Sequence, residues 1–282
     1  MLTDTVGKGE WGFSALVEVD GHKILFDAGT DSMLVLNNAR ELGIDLSDVP
    51  VLILSHSHPD HIGGWHVLRN SLRKTHSTAL STTYVGEGFF LNRYKPDHSL
   101  GYNRTNDSLR YLSEGGQFQV CRGFTQIYPG VYLTGPVPRK YQEKNYAKGA
   151  LLKTDRGFVE DSIPEDMSLV ITTTKGLVLL SGCGHSGIVN TLAYVQQNVP
   201  GNLYAVDGGF HLLSAGEEQL DFTAKYLKAA GMKYFVGAHC TGINVVYEIR
   251  RRCELERNQS IVGSVGSYFD LSRGIVPGFL SK

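Results

Sequence analysis

His56-Ser57-His58-Pro59-Asp60-His61 follows, one serine on, the apolar run Val51-Leu52-Ile53-Leu54 and leads into Gly63-Gly64. The apolar run has the length and composition of a short buried strand. Three imidazoles and a carboxylate within six residues suit neither a strand interior nor an ordinary loop. They are donors that zinc, iron and manganese accept, and catalytic sites hold such ions with a position left open to water. In an extended stretch His56 and His58 point to one side and can share one ion, while Asp60 and His61, beyond the turn at Pro59, reach a second. A lone histidine is most often a surface or satisfied core residue. Four ligand-type side chains at this spacing, behind a strand, favour metal.

Working outward, 13–19 and 23–26 read as a hairpin about Asp20-Gly21. Apolar residues at helical spacing over 32–42 predict a helix ending near Gly43. Further strands are predicted at 131–133, 169–173 and 177–180, the last two joined by Thr174-Lys175-Gly176. A helix at 188–198, a strand at 203–206, a helix at 217–230, a strand at 234–236, a helix at 243–252 and a closing strand at 264–271 complete the pattern. Strands followed by helices, with ligand-type residues at strand ends, predict an α/β architecture.

The chain of 282 residues reads as a single domain over 1–282. Its interval 86–128 stands out for Phe89, Phe90, Arg93, Tyr94, Lys95, Tyr102, Arg104 and Tyr111 and for patchy periodicity. That suits a substrate-covering insertion, and equally a passive insertion or an oligomer contact. A formal charge of −1 gives no electrostatic case for nucleic acid or an anionic membrane. No apolar run approaches the ~20 residues that span a bilayer. Cys121, Cys183, Cys240 and Cys253 form no CxxC pairing, so a reducing, cytoplasmic setting is the default. A removed signal peptide is the alternative, because Met1-Leu2-Thr3-Asp4-Thr5 reads like the end of a first strand with little before it.

The His-x-His-x-Asp-His run resembles the signature of the metallo-β-lactamase superfamily. Phe26-Asp27-Ala28-Gly29, Gly182-Cys183-Gly184-His185-Ser186-Gly187 and Gly237-Ala238-His239-Cys240 extend the likeness over most of the chain. With Gly208-Gly209-Phe210-His211-Leu212, the last two of these resemble the branch of dihydropterin–ribofuranosylaminobenzene phosphate synthases. The resemblance implies a four-layer αβ/βα sandwich with a dinuclear site at one edge. It implies His56, His58 and His185 on one divalent ion and Asp60, His61 and His239 on the other, zinc first, with manganese or iron as alternatives. Many members carry a metal-bridging aspartate where this chain has Cys183, which reads as a small buried residue or a thiolate ligand. Asp207 is another candidate for a bridging carboxylate. His211 is a candidate ligand, ligand partner or substrate contact. Asp27 is a candidate to orient a ligand histidine, with a turn role as the alternative.

Ser186 and Gly187 open the helix predicted at 188–198, where free N–H groups and the dipole suit a phosphate or carboxylate of a substrate; a plain helix cap is the other reading. The cations of Pro136-Val137-Pro138-Arg139-Lys140 are placed to add to such a site. His22, His66, His76 and His98 fit no ligand motif. The leading expectation is a hydrolase of an ester, lactone or phosphate ester that uses metal-bound hydroxide. Asp60 would be the proton acceptor, with His211 or a lid tyrosine as the leaving-group acid. The branch resemblance implies an alternative, displacement of pyrophosphate from a dihydropterin by an aminobenzene ribotide. A di-iron redox or sensory protein is a third. A small-molecule substrate, anionic or phosphorylated, is the expected partner, with a homo-oligomer as a further option.

Overall fold

Successive strand residues face opposite ways, so a strand that is apolar throughout needs cover on both sides. In the computed structural model, which describes residues 7–143, 145–146 and 148–278, the run Val51–Leu54 has that cover. The strand end expected at Met1 to Thr5 lies outside the described residues. A five-stranded sheet runs in the order Ala15–Val19, His22–Phe26, Val51–Leu54, Thr82–Gly86 and Gln117–Cys121. The hairpin pair is antiparallel and the remaining neighbours are parallel. A seven-stranded sheet runs Ser260–Val262, Tyr234–Gly237, Leu203–Gly208, Gly176–Ser181, Ser168–Thr173, Val131–Leu133 and Thr125–Tyr128. Its first four strands are mutually parallel.

Ile24, Phe26, Val51 and Ile53 meet Val131, Leu133, Leu169 and Leu180 in a core between the sheets. Leu25, Leu52 and Leu54 point the other way, onto Leu36 and Ala39 of the helix Leu34–Glu41 and onto Trp65 and Leu68 of the helix Trp65–Leu72. Beyond the second sheet, Val170, Leu177 and Leu179 pack on Ile188, Leu192, Leu220, Leu227, Val245 and Ile249. Those come from the helices Ile188–Asn198, Glu217–Ala229 and Ile243–Arg252. Each fully buried aliphatic side chain contributes roughly 1.5–3 kcal/mol. Helix, sheet, sheet and helix thus stack as the four-layer αβ/βα sandwich that the sequence implied. No described helix is long and apolar enough to cross a membrane.

Two stretches differ from expectation. The closing strand over 264–271 does not form. The chain turns there, with Gly266 at φ +81°, and Tyr268–Asp270 pairs instead with Gly274–Val276 as a separate two-stranded ribbon. The interval 86–128 is not one insertion. Its end supplies an edge strand to each sheet, Gln117–Cys121 and Thr125–Tyr128, and the helix Thr105–Ser113 buries Tyr111 beside Trp65. Only Arg93–Tyr94 and Leu100–Tyr102 stand apart. They pair with Leu151–Thr154 and Gly157–Glu160 in a four-stranded sheet that draws on a second part of the chain. Strands of two and three residues are too short to show a period.

Candidate metal centre

The implicated side chains leave the carboxyl ends of strands in both sheets. The run 56–61 follows Val51–Leu54, Cys183 and His185 follow Gly176–Ser181, His211 follows Leu203–Gly208, and His239 follows Tyr234–Gly237. The last three strands are parallel neighbours, so their carboxyl ends share one edge. Gly182 lets the two sheets close there. A Cβ on it would sit 2.1 Å from Ser55 Oγ and 2.6 Å from Asp27 Oδ2.

Three groups of donor atoms converge, each with its atoms within 4.8 Å of one another: Asp60, His61, Cys183 and His239; His56, Cys183 and His185; and Cys183, His211 and Cys240. His56 Nε2 lies 3.2 Å from His185 Nε2, and His61 Nε2 lies 3.3 Å from His239 Nε2. Asp60 Oδ2 is 3.1 Å from His239 Nε2. His58 belongs to none of the groups, but its ring centroid stands 4.6 Å from that of His56 and 4.9 Å from that of His185.

The outward nitrogens are anchored. His61 Nδ1 is 2.7 Å from Asp27 Oδ2, and His185 Nδ1 is 2.5 Å from the carbonyl of Asn145. Both partners only accept, so each Nδ1 carries the proton and each Nε2 turns a lone pair inward. His56 Nδ1 lies 2.9 Å from Ser55 Oγ, which itself donates to Asp27 Oδ2 at 2.7 Å. The Ser55 N–H donates to Asp27 Oδ1 at 2.7 Å. One fully buried carboxylate therefore orients His61 directly and His56 through a hydroxyl. The inward lone pairs of His61 and His185 each meet a second imidazole nitrogen little more than 3 Å away, the spacing of two nitrogens on one cation, so the donor set fits divalent metal.

The electrostatics of three of the imidazoles agree with this fit. Burial and the neighbouring imidazoles push His56 and His185 well below the ordinary histidine range, and burial pushes His58 down to about 4. All three are neutral near pH 7, the form that binds metal. Burial opposes charge on His61 as well, but Asp27 raises it above the usual value. Burial also works against ionised Asp60, yet the hydrogen bond with His239 and the nearby imidazoles hold it below the usual carboxylate range. Asp27, His211 and His239 adopt φ of +60°, +47° and +50°. Non-glycine residues rarely hold this conformation, and such strain gathers at functional sites.

The sequence matches the metallo-beta-lactamase superfamily over residues 12–185. The chain belongs to that superfamily. Within it, the chain is 31% identical over 245 residues to a 7,8-dihydropterin-6-methyl-4-(beta-D-ribofuranosyl)-aminobenzene-5'-phosphate synthase of Methanocaldococcus jannaschii, covering 82% of this chain and 81% of that protein. It is 28% identical to the uncharacterized protein MJ0448 of the same organism, with 90% of this chain and 91% of that one covered. Among solved structures, Tm1679, described as a metal-dependent hydrolase of the beta-lactamase superfamily, superposes with a TM-score of 0.71 at 27% identity, over 89% of this chain and 90% of that one.

On this metallo-beta-lactamase framework several expected features take other roles. The substrate-anion site at Ser186 and Gly187 is already filled from within. The Glu143 carboxylate accepts from the N–H of Val189 (3.2 Å) and Asn190 (2.8 Å), and Asp166 Oδ2 accepts from the N–H of Ser186 at 2.9 Å. The helix dipole that favours a substrate anion favours these carboxylates equally. Glu143→Ala is therefore expected to lower stability by about 1–3 kcal/mol in urea unfolding, and Glu143→Gln by less. Arg139 is likewise committed, donating to the carbonyls of His185 and Ser162. Asp207 joins none of the converging groups. It lies within its strand, across from Leu180 and Val236, and burial pushes its carboxyl up to about 7.

Other participants carried no motif. The Asn145 carbonyl, Glu143 and the Ser55 relay are visible only when distant segments meet. Glu165 Oε1 accepts from Ser57 Oγ at 2.7 Å, Arg93 Nη2 donates to Glu165 Oε2 at 2.5 Å, and Arg104 donates to the Ser57 carbonyl at 2.6 Å. Arg93, Arg104 and Glu165, in and beside the small sheet, thereby grip the loop 56–61. At the other side of the site Trp11, 58% exposed, places its ring 4.8 Å from that of His239.

Proposed function

We propose that this chain is a metal-dependent hydrolase acting on an ester, lactone or phosphate ester. The observation that carries the reading is the pair of inward-facing imidazole couples, His56 with His185 and His61 with His239, beside the carboxylate of Asp60. His56, His58 and His185 would hold one divalent ion, and Asp60, His61 and His239 the other, zinc first. Such ions polarise a carbonyl or phosphoryl group and bring the acidity of water toward neutrality. Asp27, Ser55 and the Asn145 carbonyl keep the rings aimed. Asp60, its side chain 21% exposed, is the carboxylate within reach of solvent and accepts the nucleophile's proton. His211, whose ring centroid is 4.6 Å from that of His185, is the proton donor to the leaving group. The exposed indole of Trp11 lies beside His239 and suits an apolar or aromatic part of the substrate.

The likeness to the synthase over most of both chains supports a second reading, in which an aminobenzene ribotide displaces pyrophosphate from a dihydropterin. One experiment separates the two. The metal-loaded protein is assayed on a panel of esters, lactones and phosphate esters, and with both synthase substrates together and singly. Turnover on the panel, falling at least roughly 100-fold in Asp60→Ala with metal content checked, supports hydrolysis. Coupled product without turnover by water supports the synthase. Full turnover in Asp60→Ala or His58→Ala contradicts the assigned mechanism.

A further inference from the structure

The metal assignment above leaves no group common to both positions. Asp60 belongs to one donor group only, whereas Cys183 belongs to the group of His56 and His185 and also to that of Asp60, His61 and His239. Its sulfur lies 3.1 Å from His61 Nε2, and the residue is 2% exposed. The geometry points to Cys183 as a thiolate ligand shared by the two metal positions. The inference rests on the metal reading proposed above and adds to it the identity of the shared atom.

The surroundings suit that role. Cys240 donates its S–H to Cys183 Sγ at 3.2 Å and accepts from the N–H of His211 at 3.2 Å. A sulfur that accepts a hydrogen bond from one side and faces imidazole nitrogens on the other is oriented for ligation. Cys240 has fewer such neighbours, sharing a donor group only with Cys183 and His211. Cys240 is thus a positioning residue, and Cys183 the ligand. Holding metal would require Cys183 to give up its S–H proton to solvent, with no electron transferred. A soft thiolate between the ions also bears on the metal: it favours zinc, cobalt or iron over manganese.

The test is cobalt substitution of the metal-stripped protein, read by absorption and by elemental analysis. Wild type should load both positions and show a thiolate-to-cobalt charge-transfer band in the near ultraviolet. Cys183→Asp, which offers a carboxylate in place of the sulfur, should still load both positions, lose the band and shift its preference from zinc toward manganese. Cys183→Ala should bind more weakly by a larger factor than the roughly 10- to 100-fold that loss of a ligand's hydrogen-bonding partner costs. Cys240→Ala should keep the band. Full loading of wild type without a band overturns the inference and leaves the metal reading intact. A band that survives in Cys183→Asp and disappears in Cys240→Ala also overturns it, by moving the thiolate to Cys240. A wild-type protein that binds no cobalt overturns the metal reading and this inference with it.

Discussion

Asparagine at position 27 is expected to weaken metal binding by about 10- to 100-fold and to lower turnover with it, although the side chain touches no metal position. Asp27 is fully buried and uses both oxygens. Oδ1 takes the Ser55 N–H, and Oδ2 takes the Ser55 hydroxyl and His61 Nδ1. One change therefore loosens His61 directly and His56 through Ser55, which places the effect at both of the proposed metal positions. Asparagine keeps the volume but offers a single acceptor oxygen and turns an NH2 group toward a proton already present on the imidazole or hydroxyl. Titration with zinc against a competing chelator measures the loss. The conservative Asp27→Glu should not restore affinity, because φ is +60° here and Gly182 leaves no room for a longer side chain. Affinity equal to wild type in Asp27→Asn would show that the rings are held by packing alone.

Methionine at Arg93 is expected to cost about 3–5 kcal/mol, the range found when one partner of a buried ion pair is removed. Arg93 is 2% exposed, and its guanidinium pairs with Asp161 at 3.2 Å and Glu165 at 2.5 Å, which are 2% and 0% exposed. The same guanidinium donates to the carbonyls of Gly88 and Leu91. Without it two carboxylates remain in the interior with no cation, and burial already pushes Glu165 upward despite the arginine. The damage reaches the site, because Glu165 also holds Ser57 between His56 and His58. Urea unfolding of metal-free protein reads the stability term, and metal titration reads the loop. A loss below about 1 kcal/mol, as for an exposed pair, would mean that water compensates the cluster.

The sequence carried the framework because its periodic signals are local. The helices Ile188–Asn198 and Ile243–Arg252 and the strand Val51–Leu54 form at the bounds their apolar spacing predicts. Strand ends followed by histidines located the edge where 56–61, 185, 211 and 239 meet. What sequence spacing did not carry depends on segments distant in the chain. Glu143 reaches a helix start more than forty residues on, so Ser186 and Gly187 looked free for a substrate anion when they were not. The four-stranded sheet joins 93–102 to 151–160, and neither half has a period long enough to read. Asp207 looked like a spare carboxylate, but it sits inside its strand and joins none of the donor groups.

The proposed function requires a centre of two metal ions built from residues of both sheets. Elemental mass spectrometry of protein purified without added metal, for wild type and His185→Ala, tests it most directly. About two divalent ions per chain are expected, zinc foremost, falling to about one in the variant. A single ion per chain in wild type, unchanged by His185→Ala, would contradict it.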